Sequence, residues 1–252
     1  MLPIMDQKPA EHAARSVPRY TSYPTAPHFK DQIDGEEYGD WLTALPEQAE
    51  LSLYLHVPHC TATCHYCECH TKATLREAPV RAYAETLMAE LRLALEALGQ
   101  RRGLKHIHWG GGTPNLLPRE CFKEIANIIQ TRFEILPTCE HTIELNPRTV
   151  THELAKTLAE IGVNRVSLGI QDFNPDVQLA IGRVQPFAQV EHAVSMIKDA
   201  GLTHICFDLM YRLPHQGEDQ LTATIELATS PRPSRIALFG YAHVPWMKNT
   251  SG

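Results

Sequence analysis

Six short apolar runs alternate along this chain with longer stretches whose apolar residues recur at helical spacing. The runs are Leu51–Pro58, His106–Gly112, His141–Pro147, Arg165–Ile170, His204–Tyr211 and Arg235–Ala242. Each is short and partly β-branched, as parallel strands buried on both faces are. Between them a 3.6-residue period takes over. From Pro79 to Gly99, Tyr83, Leu87, Leu91, Leu95 and Leu98 form one stripe. Pro79 suits a first turn and Gly99 a C-terminal stop. A second helix is predicted from Pro118 to Phe133, with Phe122, Ile125 and Ile129 inward. A third carries Leu154, Leu158 and Ile161 and stops at Gly162. A fourth carries Phe187, Val190, Val194 and Ile197 and stops at Gly201, and a fifth carries Leu221 and Ile225. Five β-α units and a sixth strand imply a parallel sheet with right-handed crossovers. The predicted class is α/β, a parallel six-stranded (β/α)6 partial TIM-type barrel with an N-terminal extended arm. A flat doubly wound sheet is the alternative.

Residues 1–50 break the alternation. They are rich in Pro and polar residues and include Pro18-Arg-Tyr-Thr-Ser-Tyr-Pro-Thr25. This stretch reads as an extended arm preceding a barrel domain at 51–252, with Tyr20, Tyr23 and Phe29 offering apolar surface to dock. A disordered tail is the other reading for 1–17.

At 252 residues the chain is long enough for one large α/β domain or two small ones. Its net charge of −6 argues against a general nucleic-acid binder, but leaves room for a local basic pocket that takes an acidic small molecule. No apolar run reaches the roughly eighteen residues of a membrane span. Met1–Ala10 lacks a basic region followed by an apolar one, so a cytoplasmic location is the default. Seven cysteines are present, and four of them fall within Cys60–Cys69. That crowding suits a metal site in a reducing compartment better than a disulfide framework. Cys121, Cys139 and Cys206 stand in apolar contexts and read as buried small hydrophobes.

Cys60, Cys64 and Cys67 are spaced C-x3-C-x2-C directly after the first strand. Three thiolates can hold three corners of a cubane iron–sulfur cluster and leave the fourth iron open to a ligand. A tetrahedral zinc site using all four thiolates, with His59, His65 and His70 nearby, is the alternative. Zinc modules usually pair such cysteines with a second, distant ligand pair, and none is evident. Ligands of parallel α/β sheets bind at the carboxyl ends of strands. There lie the cysteine loop, Trp109-Gly-Gly-Gly-Thr-Pro114, Glu144, Gln171 and Asp172, Asp208, and Tyr241-Ala-His-Val-Pro245. Gly110-Gly-Gly112 matches neither a phosphate loop nor a dinucleotide fingerprint. It does let a ligand approach the backbone closely. Glu144 and Asp208 lie in apolar strands and need donors. A ligand amine, a ribose hydroxyl, Arg165 or Arg183 would serve.

The cysteine loop and the glycine run together resemble the radical S-adenosylmethionine superfamily. Within it, five motifs resemble the oxygen-independent coproporphyrinogen III oxidase family: Tyr20-Thr-Ser-Tyr-Pro-Thr25, Cys67-x-Cys69, His108-Trp-Gly-Gly-Gly-Thr-Pro114, Gly169-Ile-Gln-Asp-Phe-Asn174 and Tyr241-Ala-His-Val-Pro245. The resemblance implies a [4Fe-4S] cluster on Cys60, Cys64 and Cys67, with Cys69 beside it but not on iron. It also implies two S-adenosylmethionine molecules. Tyr54, Gly111, Glu144 and Ala242 would line the first; Tyr66, Gly112, Thr113, Gln171, Arg183 and Asp208 would line the second. The implied reaction is decarboxylation of two propionates of coproporphyrinogen III by way of a 5′-deoxyadenosyl radical. The implied partners are that substrate and a low-potential electron donor of flavodoxin or ferredoxin type. No nucleic acid or membrane is expected, and the chain is expected to be a monomer. Arg15 and Arg19 are candidates to grip the substrate carboxylates; no catalytic side chain is assigned. Against the family pattern, Glu68 and Arg212 each stand where glycine is usual. The family's C-terminal domain is expected to be absent here, which predicts slow turnover by a truncated form. A haem-binding relative without oxidase activity is the alternative function.

Overall fold

The computed structural model describes residues 28–29, 33–67 and 69–241. The chain divides into two compact units, Met1–Tyr38 and Gly39–Gly252. The Pro18–Thr25 motif, Arg15, Arg19, Glu68 and Ala242 lie outside the described residues. Within the stretch predicted as an arm, helix α1 spans Gly35–Thr43. Asp34 Oδ1 caps its start, accepting from the backbone of Glu36 and of Glu37 at 3.0 Å each.

The larger unit is built on β1 (Leu51–Val57), β4 (Gly103–Gly111), β5 (Glu134–Leu145), β6 (Arg165–Gln171), β7 (His204–Tyr211) and β8 (Arg235–Gly240). Two further strands, β2 (His59–Cys60) and β3 (Lys72–Ala73), form a separate small ladder. The helices are α2 (Glu77–Leu98), α3 (Arg119–Arg132), α4 (His152–Glu160), α5 (Pro175–Ala180), α6 (Phe187–Asp199) and α7 (Glu218–Thr229). All six predicted strands are present, and four of the predicted helices end at or within two residues of the expected stops. α5 was not expected from the sequence.

The large sheet runs β1-β4-β5-β6-β7-β8, parallel throughout. Strand order follows chain order without reversal, whereas a doubly wound sheet reverses at its middle. Successive right-handed crossovers therefore keep every helix on one side, and the sheet curves as an open partial barrel.

The strands are not buried on both faces, as their apolar content led us to expect. With one helical layer, only alternate residues are covered. Leu55, Val57, Ile107, Trp109, Ile143, Val166, Leu168, Ile205 and Phe207 face the helices and are buried. Most intervening residues are polar and partly exposed, among them Tyr54, His56, His108, Glu144, Arg165 and Asp208, although Thr142 and Cys206 are buried. α7 also departs from expectation. Its buried residues are Thr224 and Ala228, while Leu221 is half-buried and Ile225 exposed. Cys121, Cys139 and Cys206 are buried, as predicted, and in no disulfide.

Candidate active site at the strand ends

The small ladder closes the neck of the cysteine loop. His59 pairs with Lys72 and Cys60 with Ala73. Lys72 N donates to Pro58 O at 2.6 Å and Thr74 N to Cys60 O at 2.8 Å. The far side of the loop is pinned to the turn after α5. There His65 N donates to Ile181 O at 2.9 Å, and His65 Nδ1 donates to Ala180 O at 3.0 Å. Tyr66 completes the anchor by packing on Val177, Ile181, Met210 and Leu213. A polar loop is thus held at both ends at the carboxyl edge of the sheet.

None of its four cysteines is in a disulfide. Thr113 Oγ1 donates to Cys60 Sγ at 3.4 Å, and Arg183 Nη1 to Cys64 Sγ at 3.5 Å. Burial pushes the Cys60 thiol above its ordinary pKa, against the pull of the Thr113 bond. A bond to Cys67 and then burial push the Cys69 thiol up. Among the described residues, no three His, Cys, Asp or Glu side chains converge on a point that one ion could occupy. Of the loop histidines, His65 holds the α5 turn, while His59 is buried edge-on to Tyr83 with no hydrogen-bond partner for its Nδ1. A zinc ion gathers four ligands about one point, whereas a cubane's corner thiolates bind separate irons, the arrangement expected of Cys60, Cys64 and Cys67.

Two of the three glycines serve the protein's own packing. Gly111 has φ +113°, and a Cβ there would lie 2.7 Å from the His56 ring. A Cβ on Gly112 would lie 2.7 Å from His59 O and 3.0 Å from Cys60 Sγ, so β4 meets the cysteine loop without a side chain between them.

The remaining site residues fall into two groups. In the first, Tyr54 and His108 are register partners with rings stacked at 5.6 Å. His108 Nε2 donates to Glu144 Oε1 at 3.0 Å. His56 Nε2 donates to His70 O at 3.0 Å, so its Nδ1 accepts from the Tyr54 hydroxyl, also at 3.0 Å. Burial and then the Glu144 charge raise the Tyr54 pKa. Arg165 does not serve Glu144, because it pairs with Glu140 at 2.9 Å.

In the second group, Arg183 Nε and Nη2 donate to Gly169 O at 3.2 and 2.7 Å. Burial opposes its charge, but Tyr66 and Cys64 favour it and its pKa is raised. Burial, with Arg183 opposing, raises that of the Tyr66 hydroxyl. Gln171 is buried at the end of β6, where the register breaks, and holds φ +69°. Asp208 finds its donor in Ser167 Oγ at 2.6 Å. Burial nonetheless raises its carboxyl pKa, with Arg183 a minor opposing influence.

Sequence reasoning passed over His56, His108, Ser167 and Arg148. The first three could have been found from the two-residue alternation of Ser52-Leu-Tyr-Leu-His56, His106-Ile-His-Trp109 and Arg165-Val-Ser-Leu168. Arg148 carries no such signal. It follows β5 in a turn, half-buried, with its charge felt at Arg183, Cys64, Tyr66 and Cys60.

Residues 54–228 match the family model of the radical SAM superfamily. An oxygen-independent coproporphyrinogen III oxidase of Bradyrhizobium diazoefficiens is 46% identical over 92% of this chain and 52% of its own length. One from Paracoccus denitrificans is 43% identical over 92% and 51%. Among solved structures, the coproporphyrinogen III oxidase of Escherichia coli, described as a radical SAM enzyme, superposes with a TM-score of 0.83 at 30% identity. It covers 90% of this chain and 52% of the other. The chain thus spans about half the length of the curated relatives it matches. No helix among the described residues is long and apolar enough to cross a membrane.

Proposed function

The chain belongs to the radical S-adenosylmethionine superfamily, and on that premise we propose that it acts in oxidative decarboxylation of coproporphyrinogen III to protoporphyrinogen IX. The observation that carries this reading is the cysteine loop, pinned at both ends and bonded to Thr113 and Arg183, in a chain 46% identical to a named oxidase. The superfamily brings with it a [4Fe-4S] cluster and S-adenosylmethionine. In this reading Cys60, Cys64 and Cys67 hold the cluster. Tyr54, Gly111, Glu144 and Ala242 take one S-adenosylmethionine; Tyr66, Gly112, Thr113, Gln171, Arg183 and Asp208 take a second. When bound and reduced, the cluster supplies the electron that splits S-adenosylmethionine into methionine and a hydrogen-abstracting 5′-deoxyadenosyl radical.

The protein's own part is binding and orientation. His108 fixes one oxygen of Glu144 and leaves the other to accept from an ammonium or hydroxyl group. Ser167 holds one oxygen of Asp208, whose other oxygen has the Cys206 thiol at 3.9 Å and keeps capacity to accept. Arg183, tied to Gly169 O, brings a fixed positive charge beside Cys64. The proposal includes a low-potential flavodoxin- or ferredoxin-like donor, a monomeric state and a cytoplasmic location.

Anaerobic reconstitution with iron and sulfide tests the reading. A brown chain is expected that forms 5′-deoxyadenosine from S-adenosylmethionine under a strong reductant, then converts coproporphyrinogen III. Cys64→Ser is expected to abolish the colour and both products. A wild-type chain that takes up iron yet cleaves no S-adenosylmethionine would sink the proposal. Tight stoichiometric haem binding without decarboxylation would favour the haem-binding alternative.

A further inference from the structure

Arg148 and Arg183 form a pair of half-buried cations near enough for their charges to oppose each other. The ion pairs among the described residues engage Arg81, Arg92, Lys105, His108, Lys123 and Arg165, and neither of these two. Arg183's bond sets it beside the Cys64 sulfur, whereas the bonds of Arg148 orient it without neutralising it. Arg183 spends its donors on Gly169 O and Cys64 Sγ. Arg148 commits only Nε from its side chain, to Asn146 Oδ1 at 3.1 Å. Asn146 is itself fixed, because its backbone N–H donates to Asn115 Oδ1 at 3.1 Å and Asn115 Nδ2 donates to Thr149 Oγ1 at 2.7 Å. The two Nη nitrogens of Arg148 bond to no described residue.

Withdrawing a cation from water without a counter-ion is unfavourable, and placing a second beside it more so. A fold that maintains such a pair is built to receive an anion. A guanidinium with Nε anchored and both Nη free has the fork that meets a carboxylate through two parallel N–H···O bonds. We propose that Arg148 is a carboxylate-binding residue, working beside Arg183 at the edge of the cysteine loop. This rests on the proposed function, which brings two kinds of carboxylate here: the methionine carboxylate of S-adenosylmethionine and the propionates of the tetrapyrrole.

The test titrates reconstituted wild type, Arg148→Met and Arg148→Lys with three probes. These are S-adenosylmethionine, its decarboxylated analogue, and coproporphyrin III, the oxidised tetrapyrrole with the same four carboxylates. Arg148→Met is expected to weaken one carboxylate probe about tenfold or more. Arg148→Lys should recover part of that loss, and the decarboxylated analogue should bind all three proteins alike. A loss confined to S-adenosylmethionine assigns the methionine carboxylate; one confined to coproporphyrin III assigns a propionate. Iron content and thermal midpoint report on folding. If Arg148→Met fails to hold a full cluster, Arg148→Gln, which keeps a polar head beside Asn146, is read the same way. Variants that carry a full cluster and bind both acids as wild type does overturn the inference, leaving Arg148 as a counter-charge to the cluster alone. A wild-type chain that binds neither acid fails earlier and sinks both readings.

Discussion

Along β4, Ile107 and Trp109 lie under the helices and are buried, while His106, His108 and Gly110 alternate with them on the concave side. The same strand thus carries two chemistries, separated by one residue of register. On the covered side, Trp109 packs on Phe122 with ring centroids 5.1 Å apart, and its indole Nε1 donates to His141 Nε2 at 2.8 Å. On the concave side, polar groups bond in pairs across strands and keep capacity to spare: Glu144 with His108, Asp208 with Ser167. The contrast teaches that packing and spare hydrogen-bonding capacity lie on opposite faces of one sheet. The largest expected effect tests this directly. Trp109→Ala should cost about 3–5 kcal/mol, through lost burial, a cavity and an orphaned His141 nitrogen. Glu144→Gln should cost less than about 1 kcal/mol, as a partly exposed polar exchange, yet weaken S-adenosylmethionine binding. Urea unfolding and ligand titration of the two variants separate the faces. Equal destabilisation by both would break the comparison.

His141 sharpens it next, because it is an ionisable group on the covered side. Burial pushes its pKa from 6.5 down to about 4. Its Nε2 accepts from Trp109, so a proton there would break that bond. The folded protein keeps the ring neutral, whereas the unfolded chain protonates it below its ordinary pKa. The contribution is therefore fully present above about pH 6.5 and is lost as pH falls toward 4, by about 3 kcal/mol in all. His141→Gln retains an acceptor for Trp109 and cannot titrate. Its urea midpoint should fall less steeply than wild type's between pH 6.5 and 4, and parallel slopes would refute the assignment.

The covered face was legible because its signals are local. Apolar period, β-branching and the stops at Gly99, Gly162 and Gly201 sit within single segments, and the strands emerge within a few residues of expectation, except at the start of β5. The concave face was misjudged, although Ser52-Leu-Tyr-Leu-His-Val57 alternates plainly. The missing fact was that one helical layer covers the sheet, which is topology and not composition. α5 has a readable cap, since Asn174 Oδ1 accepts from Asp176 N and Val177 N, but six residues are too few to show a period. The two-residue β2–β3 ladder exists only through tertiary pairing. At the site, cysteine spacing and strand-end residue types could be read in advance. The bonds among them could not, because Thr113 to Cys60, His108 to Glu144 and Ser167 to Asp208 each depend on how separate segments come into register.

The smallest effect compares two strained residues that flank the same site. Gln171 ends β6 and Arg212 directly follows β7, with φ +69° and +65°, a left-handed conformation that costs a side-chain-bearing residue about 1–2 kcal/mol. Gln171 is buried with its amide beside Gly169 in the proposed site, whereas Arg212 is exposed, its guanidinium carbon 6.0 Å from the Tyr211 ring. Strain held by a buried site residue is strain that function can use; strain at an exposed arginine has no such return. Arg212→Gly should therefore raise stability by about 1 kcal/mol, after allowing for glycine's freer unfolded chain, and leave S-adenosylmethionine affinity unchanged. Gln171→Gly should relax the same backbone but weaken that affinity, because the side chain is what the strained backbone aims. Midpoints and affinities measured on the two variants give four numbers. If Arg212→Gly brings no gain, the contact with Tyr211 offsets the strain, and Arg212 then belongs with the residues that shape the mouth of the barrel.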